Sequence, residues 1–293
     1  MAATAQTSPA APIVLLVESG ADVPSAARQD LGIEVVPMHV TLAGETFDDG
    51  SVPCARMLAA CAETGAVPTT SGCTPHDFTV AFDRIHAERP DAHILHLAYS
   101  AATTCSYESA LTAAEGRDYV TSVDVKSVTC AQYLLVSEVA RFLAANPGAT
   151  VGEAADLARD LSGRIRLGFI PGDLAFLRAG GRLSNAAYVG AHLLRIKPTI
   201  EMIDGLLVAT KKHRGSMARA CRAFLDDFLS KEDLDRSRLA FVYSHGLSDG
   251  IRADAEARVR EAGFREVEWV ETGCVIASHS GPGSFGAAAI AKR

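Results

Sequence analysis

Short apolar runs alternate with helical patterns through the first half of the chain. Residues 13–17 predict a buried strand and residues 33–36 predict a second one. Between them, Asp22-Val23-Pro24-Ser25 has the polar cap and the proline of a helix start. The alternation continues with predicted strands at 92–98 and 120–125 and predicted helices at 107–115 and 132–145. Strands that alternate with helices favour a parallel sheet covered by helices on both faces.

The pattern changes after residue 165. Further strands are predicted at 165–169, 199–203, 206–209, 239–243 and 267–270. Asp204-Gly205 separates two of them and has the composition of a tight antiparallel hairpin turn, which a parallel pair cannot use. We therefore predict an α/β protein with an N-terminal parallel-sheet α/β domain, residues 12–165, and a C-terminal α+β domain with a largely antiparallel sheet, residues 166–293.

Composition and charge argue against several classes of function. The 293 residues include 28 Lys and Arg against 35 Asp and Glu, a net charge of −7, so no global positive field favours nucleic acid. The seven cysteines include no C-x-x-C pair, so we expect reduced, packed thiols and no metal site. Because residues 1–11 carry no basic side chain and no apolar run approaches a membrane span, we expect a soluble, cytoplasmic protein.

Two hydroxyl-rich loops are candidate anion sites. The first, residues 68–75, contains Thr69, Thr70 and Ser71 and precedes a predicted helix. The second, residues 99–106, follows the predicted strand 92–98, and ligands of such sheets lie at the carboxyl ends of strands. Helix N-termini with free amides and nearby hydroxyls bind anions, although ordinary helix capping explains each loop equally well.

Motifs near the C-terminus are less specific. The segment 281–286 matches G-x-G-x-x-G, but only seven residues follow it, so it cannot open a dinucleotide-binding unit and instead predicts a bend with close backbone approach. His279 directly before it could be a general base, a carboxylate partner or a buried structural residue. The G-x-S-x-G pattern of a nucleophile elbow is absent around Ser244 and Ser284, where Val242 and Pro282 replace the first glycine, and no G-x-x-x-x-G-K-[ST] phosphate loop is present.

The densest basic cluster is Lys211-Lys212-His213-Arg214, which follows the predicted strand 206–209. Such a cluster can be a solvated surface. In an acidic protein it is also a candidate docking site for an acidic partner or a phosphate.

Taken together, these motifs resemble the DegV family, the fatty-acid-binding proteins that serve bacterial fatty acid kinases, over nearly the whole chain from Ile13 onward. The resemblance is carried by Val35-Val36-Pro37-Met38 with Asp49-Gly50, Thr69-Thr70-Ser71, Ser100, Val123-Asp124-x-Lys126-Ser127, Leu177-Arg178-x-Gly180-Gly181-Arg182-Leu183, Leu194-x-Ile196-Lys197-Pro198, Asp204-Gly205, Lys211 to Arg214, and His279-Ser280-Gly281-Pro282-Gly283.

The resemblance implies a non-enzymatic carrier that holds a long-chain fatty acid in a buried pocket near the domain junction. It implies presentation of the carboxylate to a fatty acid kinase, which makes the acyl phosphate for phospholipid synthesis. No cofactor other than the fatty acid ligand is expected, no nucleic acid partner is expected, and transient contact with a membrane surface stays open. The implied carboxylate site comprises Thr69, Thr70, Ser71, Ser100 and His279, supported by Arg182, and the implied kinase-docking residues are Lys211, Lys212 and Arg214.

The chain departs from the family pattern beside the expected carboxylate site. Gly72-Cys73 replaces Gln-Pro in the first loop, Tyr99 replaces the first serine of the second loop, residues 101–104 lack its glycines, and Glu18-Ser19 replaces Asp-Ser. These changes affect pocket shape and acyl preference. Two alternative functions remain: an acyl hydrolase that uses Ser100 and His279, and a small-molecule sensor that binds no lipid.

Overall fold

The computed structural model describes residues 11–181, 196–231 and 233–293. The strands are β1 Ile13–Glu18, β2 Glu34–Val36, β3 His39–Leu42, β4 Glu45–Asp48, β5 Thr69–Ser71, β6 His93–Ala98, β7 Val120–Asp124, β8 Ile165–Ile170, β9 Ile196–Ile203, β10 Leu206–Arg214, β11 Leu234–Tyr243, β12 Glu266–Glu271 and β13 Phe285–Ala291. The helices are α1 Ser25–Leu31, α2 Cys54–Thr64, α3 Pro75–Glu88, α4 Ser106–Ala114, α5 Thr129–Ala145, α6 Val151–Arg164, α7 Leu174–Ala179, α8 Met217–Leu229, α9 Asp249–Glu261 and α10 Cys274–Ser280.

The first half contains the predicted parallel sheet, in the order β2-β1-β6-β7. Side chains alternate across a strand, so Leu15 and Val17 of β1 enter one hydrophobic core while Val14 and Leu16 enter another on the opposite face. Both faces are therefore covered, which is why β1 reads as an unbroken apolar run.

The second half contains a six-stranded sheet in the order β10-β9-β8-β13-β11-β12. Its neighbours are antiparallel except β11 and β12, which are parallel. The predicted hairpin is confirmed: Ile203 pairs with Leu206, and the turn residues Asp204 and Gly205 have φ values of 48° and 81°. The predicted fold class, parallel α/β followed by a largely antiparallel α+β part, is thus confirmed.

A third sheet, β4-β3-β5, was not predicted. Its strands have four, four and three residues, too few for a periodic pattern to stand out. One correction follows, because Thr69–Ser71 is a strand paired with β3 rather than part of a loop at a helix start.

Helices α5 and α6 lie between the two large sheets. The core that contains Leu15 of β1 also contains Leu134 of α5, Ala158 of α6 and Ala240 of β11. A separate core on the far face of the six-stranded sheet packs α8 and α9 against β11 and β13. The two halves therefore share a core across α5 and α6, and the domain boundary at residues 165 and 166 stays a prediction.

None of the helices in the described ranges combines the length and the apolarity that crossing a membrane requires.

Candidate functional site

A cavity of about 310 Å³ lies between the carboxyl edge of the parallel sheet and the six-stranded sheet. Small-molecule sites occupy roughly 300–1,000 Å³, so it is large enough to hold a ligand. Its apolar lining is Met38, Tyr99, Val128, Phe169, Leu207, Val242, Val275 and Ile276, and its polar lining includes Thr70, Ser71, Thr103, Thr104, Thr129, Thr272, His279, Ser280 and Ser284.

One polar part of the cavity is built around Thr70 and His279. Thr70 lies in β5, where it pairs with Val40 of β3, and its hydroxyl is hydrogen-bonded to Nε2 of His279 at 2.7 Å. His279 lies in the last turn of α10. The bond joins the small sheet to α10 and fixes the imidazole beside Ser71, another lining residue. The bond between Thr70 and His279 uses one proton of that pair, so the remaining proton of the pair and the Ser71 hydroxyl can donate hydrogen bonds to a carboxylate.

Two buried aspartates hold the N-terminus of α10. Asp22 Oδ1 accepts a bond from the Gly273 N–H at 2.7 Å, and Asp49 Oδ1 accepts one from the Cys274 N–H at 2.8 Å. Burial raises the pKa of Asp22 well above its usual value and also raises the pKa of Asp49, although the bonds from the backbone oppose both shifts. These carboxylates satisfy amides that have no acceptor within the helix, and so they position the element that carries His279.

The role of Asp22 corrects a sequence prediction. The sequence indicates a helix start at Asp22-Val23-Pro24-Ser25 with a polar cap, but α1 is preceded by Pro24 and has no side-chain cap. Asp22 instead adopts a left-handed conformation, with φ of 51°, and its carboxylate accepts bonds from Thr129 and Gly273. Both partners are more than 100 positions away along the chain, so no local pattern could reveal them.

The first hydroxyl segment does not leave a helix N-terminus open for an anion. Thr74 caps α3, its side chain accepts from the Asp77 N–H, and the Asp77 carboxylate accepts from the Thr74 N–H at 2.6 Å. In this capping box the Asp77 carboxylate occupies the Thr74 N–H and the Thr74 hydroxyl occupies the Asp77 N–H. The ordinary capping alternative is therefore correct for α3.

Gly72 lets the two hydroxyl segments pack against each other. A Cβ atom on Gly72 would lie 2.3 Å from Thr104 Oγ1 and 2.6 Å from Ser106 Oγ, and the neighbouring Cys73 N–H donates to Ser106 Oγ at 3.0 Å. The departures from the family pattern in the two segments therefore fit each other. They shape the cavity wall formed by Gly72, Thr104 and Cys105.

The structure brings together only part of the predicted carboxylate site. Thr70, Ser71 and His279 line one cavity, whereas Thr69, which is exposed, and Ser100, which is fully buried, are not among its lining residues. The Ser100 hydroxyl donates to the Gly205 carbonyl at 2.7 Å and so fastens the hairpin turn to the parallel sheet. Arg182 lies outside the described residues. The roles predicted for these residues remain predictions.

The Ser100 bond also bears on the hydrolase alternative. A nucleophilic serine needs its proton directed at a base, but the Ser100 proton is directed at a backbone carbonyl, and His279 Nε2 is bonded to Thr70. This geometry does not favour a Ser100–His279 pair.

The predicted docking residues Lys211, Lys212 and Arg214 are exposed on β10, an edge strand of the six-stranded sheet. Lys211 forms an ion pair with Asp227 at 2.9 Å. A bulge between Ala209 and Lys211 shifts the register of the strand just before this cluster. Within the described ranges, no group of three or more His, Cys, Asp or Glu side chains is arranged to hold a metal ion.

Comparison with known proteins gives a consistent result. A family model described as "Uncharacterised protein, DegV family" matches residues 12–292. A DegV domain-containing protein of Streptomyces coelicolor is 29% identical over 280 residues, which cover 94% of this chain and 96% of that protein.

Solved structures share the fold. A DegV family protein from Thermus thermophilus, described for its fatty acid binding, is 27% identical with a TM-score of 0.82, and the match covers 96% of this chain and 99% of that one. The fatty acid kinase B3 protein of Streptococcus pneumoniae, described as loaded with linoleic acid, is 18% identical with a TM-score of 0.80 over 96% of this chain and 100% of that one. At that identity the second likeness shows the fold alone.

Proposed function

Because the chain belongs to the DegV family, we propose that it binds a long-chain fatty acid, with the acyl chain in the apolar part of the 310 Å³ cavity and the carboxylate beside Thr70, Ser71 and His279. The observation that carries this proposal is one cavity with a largely apolar wall and a hydroxyl–imidazole pair at 2.7 Å. The fatty acid binding described for the Thermus thermophilus protein supports it.

The energetics suit such a ligand. An acyl chain of about 15 methylenes, at roughly 0.8 kcal/mol each, contributes on the order of 12 kcal/mol of gross burial before the costs of association. A carboxylate is costly to bury without donors, and charge-assisted hydrogen bonds from hydroxyls and an imidazole offset that cost.

Organic extraction of the purified protein followed by mass spectrometry tests the proposal. We expect a long-chain fatty acid, and we expect added fatty acid to raise the Tm of delipidated protein, because a ligand that binds only the native state stabilises it. A co-purified polar ligand with no lipid would favour the sensor, and turnover of acyl esters would favour the hydrolase. Absence of lipid together with an unchanged Tm would refute fatty acid binding.

We further propose that the protein presents the carboxylate to a fatty acid kinase, and that Lys211, Lys212 and Arg214 contact an acidic surface of that kinase. The three side chains are exposed together on the edge strand β10. Strand β10 also contributes Leu207 to the cavity, so a partner on this strand would lie close to the ligand. A charged rim of this kind accelerates association more than it strengthens the final complex.

Charge reversal separates docking from lipid binding. We expect the double variant Lys212→Glu, Arg214→Glu to slow kinase-coupled turnover while fatty acid affinity is retained, and we expect the wild-type rate to fall as salt rises. Arg56→Glu, at an exposed position of α2, is the matched control. Equal turnover in the double variant and the control would show that the cluster is an ordinary solvated surface.

A further inference from the structure

Two cysteines lie where α2 and α10 begin. Cys54 is the first residue of α2 and Cys274 is the first residue of α10, and both line one cavity. The Cys274 thiol also lies 3.3 Å from the Val52 carbonyl, which precedes α2. Two residues that are 220 positions apart in the chain are thus brought to the same cavity wall.

Solvent can reach this pair. Both cysteines line a second cavity of about 670 Å³, whose other walls include Asp49, Tyr243 and Trp269. Cys54 is partly exposed, whereas Cys274 is 1% exposed. A small oxidant in the cavity can therefore reach the Cys54 sulfur before it reaches the more deeply buried Cys274 sulfur.

The two thiols differ in acidity, and the more exposed one, Cys54, is the more acidic. The neighbouring Cys274 side chain lowers the pKa of Cys54, whereas Cys54 and burial raise the pKa of Cys274. The thiolate is the form that reacts with oxidants. Cys54 accordingly has the properties of an attacking thiol and Cys274 those of a resolving thiol.

We propose that Cys54 and Cys274 form an oxidisable dithiol site that peroxide converts into a disulfide between α2 and α10. In the first step the Cys54 thiolate attacks a peroxide oxygen, the O–O bond breaks, and Cys54 becomes a sulfenic acid as the leaving hydroxide takes a proton. In the second step the Cys274 sulfur attacks the sulfenic sulfur, the S–O bond breaks, and hydroxide leaves with the proton of Cys274 as water. One hydrogen peroxide is reduced to two waters while two thiols are oxidised to one disulfide.

The disulfide would act on the helix that lines the fatty acid cavity. A disulfide requires a sulfur separation of about 2.05 Å, so the N-terminus of α10 would be tied to α2. Residues Val275, Ile276 and His279 of the same helix line the cavity. If the protein binds a fatty acid as proposed, a tethered α10 should release it more slowly, so we expect slower fatty acid release from the oxidised protein.

Peroxide titration followed by alkylation and peptide mass mapping tests the site. We expect the oxidised wild type to lose the mass of two hydrogen atoms and to give linked peptides that contain Cys54 and Cys274. Cys54→Ser and Cys274→Ser should each abolish the link, whereas Cys61→Ser, a buried thiol two turns along α2, should retain it. Alkylation of both cysteines after peroxide treatment, or over-oxidation of Cys54 without a link, would overturn the proposal.

A second measurement tests whether the disulfide slows fatty acid release through α10. Fatty acid dissociation should be slower in the oxidised wild type than in the reduced wild type, and peroxide should leave the rate unchanged in Cys274→Ser. A mapped disulfide with an unchanged rate would overturn the coupling and leave the dithiol site standing. If no fatty acid binds in either state, the proposed function fails, but the peptide map still decides the dithiol site.

Discussion

At the scale of single residues, the position of His279 depends on the absence of a side chain at Gly180. A Cβ atom placed on Gly180 would lie 2.1 Å from Nδ1 and 2.5 Å from Cε1 of His279. The imidazole therefore occupies the space that any larger residue at position 180 would need. Its bond to Thr70 holds it there from the other ring nitrogen.

Gly180→Ala should weaken fatty acid binding more than it weakens the fold. The imidazole can rotate away from the new methyl group, but it then loses the Thr70 bond and the carboxylate loses a donor, at a cost of about 1.5–3 kcal/mol in affinity. Isothermal titration with a long-chain fatty acid and urea unfolding measure the two effects. Gly163→Ala is the control, because nothing lies within 4 Å of a Cβ atom there. An unchanged affinity in Gly180→Ala would remove His279 from the carboxylate site.

His39 gives the stability a pH dependence. Its Nδ1 and Nε2 lie 2.9 Å from Asp48 and 3.0 Å from Asp77. Burial lowers the pKa of His39, but the bonds to Asp77 and Asp48 outweigh it, so the pKa is raised. A raised histidine pKa contributes stability that is fully present below the unfolded value of about 6.5 and is lost as the pH rises through the folded value.

We therefore expect the wild type to be more stable than His39→Gln at about pH 6 and the difference to shrink as the pH rises above the folded pKa of His39. Urea unfolding across this range measures the difference in the free energy of unfolding. Thr79→Ala serves as the pH-independent comparison, because Thr79 is a partly buried residue of α3 whose hydroxyl donates to the Pro75 carbonyl. A difference that grows with pH would contradict the assignment of a charged His39 between two carboxylates.

At this scale the sequence groups residues that line one cavity, but it does not reveal the contacts that position them. Thr70, Ser71 and His279 were predicted from hydroxyl clustering and the family resemblance, and they line one cavity. The partners of Ser100 and Asp22 were missed, since Gly205 and Gly273 lie 105 and 251 positions away from them. Such pairings are set by how the two sheets meet, which no local pattern records.

At the scale of elements, the β9–β10 hairpin is attached to the parallel sheet through Ser100. The Gly205 carbonyl that accepts its proton belongs to a buried turn residue with positive φ. Ser100→Ala would leave this carbonyl without its donor and should destabilise the protein by about 1–3 kcal/mol.

The effect of Ser100→Ala on fatty acid affinity should be smaller than that of His279→Ala, because Ser100 supports the hairpin and His279 lines the cavity. Chemical denaturation and lipid titration of both variants test this, with Ser162→Ala as the control for an exposed hydroxyl bonded within its own helix. A large loss of affinity in Ser100→Ala without loss of stability would support the predicted role of Ser100 in the carboxylate site.

Most strands with a clear apolar run were predicted, and so were several helices of the first half, whereas the long helices α2, α8 and α9 were missed. Strands β1, β6 and β7, helices α3 to α5 and the Asp204-Gly205 hairpin lie within a few residues of their predictions. Strands β3 to β5 and helix α10 were missed, because three to seven residues do not establish a period. Strand β13 was missed as well: its sequence FGAAAIA is small and uncharged, and it becomes a central strand only because α5 and β11 pack closely against it.

At the scale of the whole molecule, the two halves are joined by an ionic network as well as by the shared core. Arg238 of β11 is 7% exposed and contacts Glu138 of α5 at 2.5 Å and Ser137 at 3.0 Å, and it also bonds Glu268 of β12. Glu268 accepts a further bond from Tyr133 of α5 at 2.6 Å. A buried guanidinium with acceptors on both sides resists separation of α5 from the six-stranded sheet.

Arg238→Gln should therefore destabilise the entire chain in one step. Removing one partner of a buried ion pair costs about 3–5 kcal/mol, and the partly exposed glutamates reduce the expected loss to about 2–3 kcal/mol. Arg141→Gln is the matched control. Arg141 pairs with Glu266 at the exposed edge of the same network, so this substitution should cost less than about 1 kcal/mol of stability.

The single tryptophan, Trp269 of β12, stacks on Phe241 and reports the unfolding of the C-terminal half by fluorescence, while far-UV circular dichroism reports the unfolding of the whole chain. Since one core contains residues of both halves, the two signals should follow the same urea transition in the wild type and shift together in Arg238→Gln. If the fluorescence transition precedes the dichroism transition in the wild type, the halves unfold separately and the shared core does not make the molecule one cooperative unit.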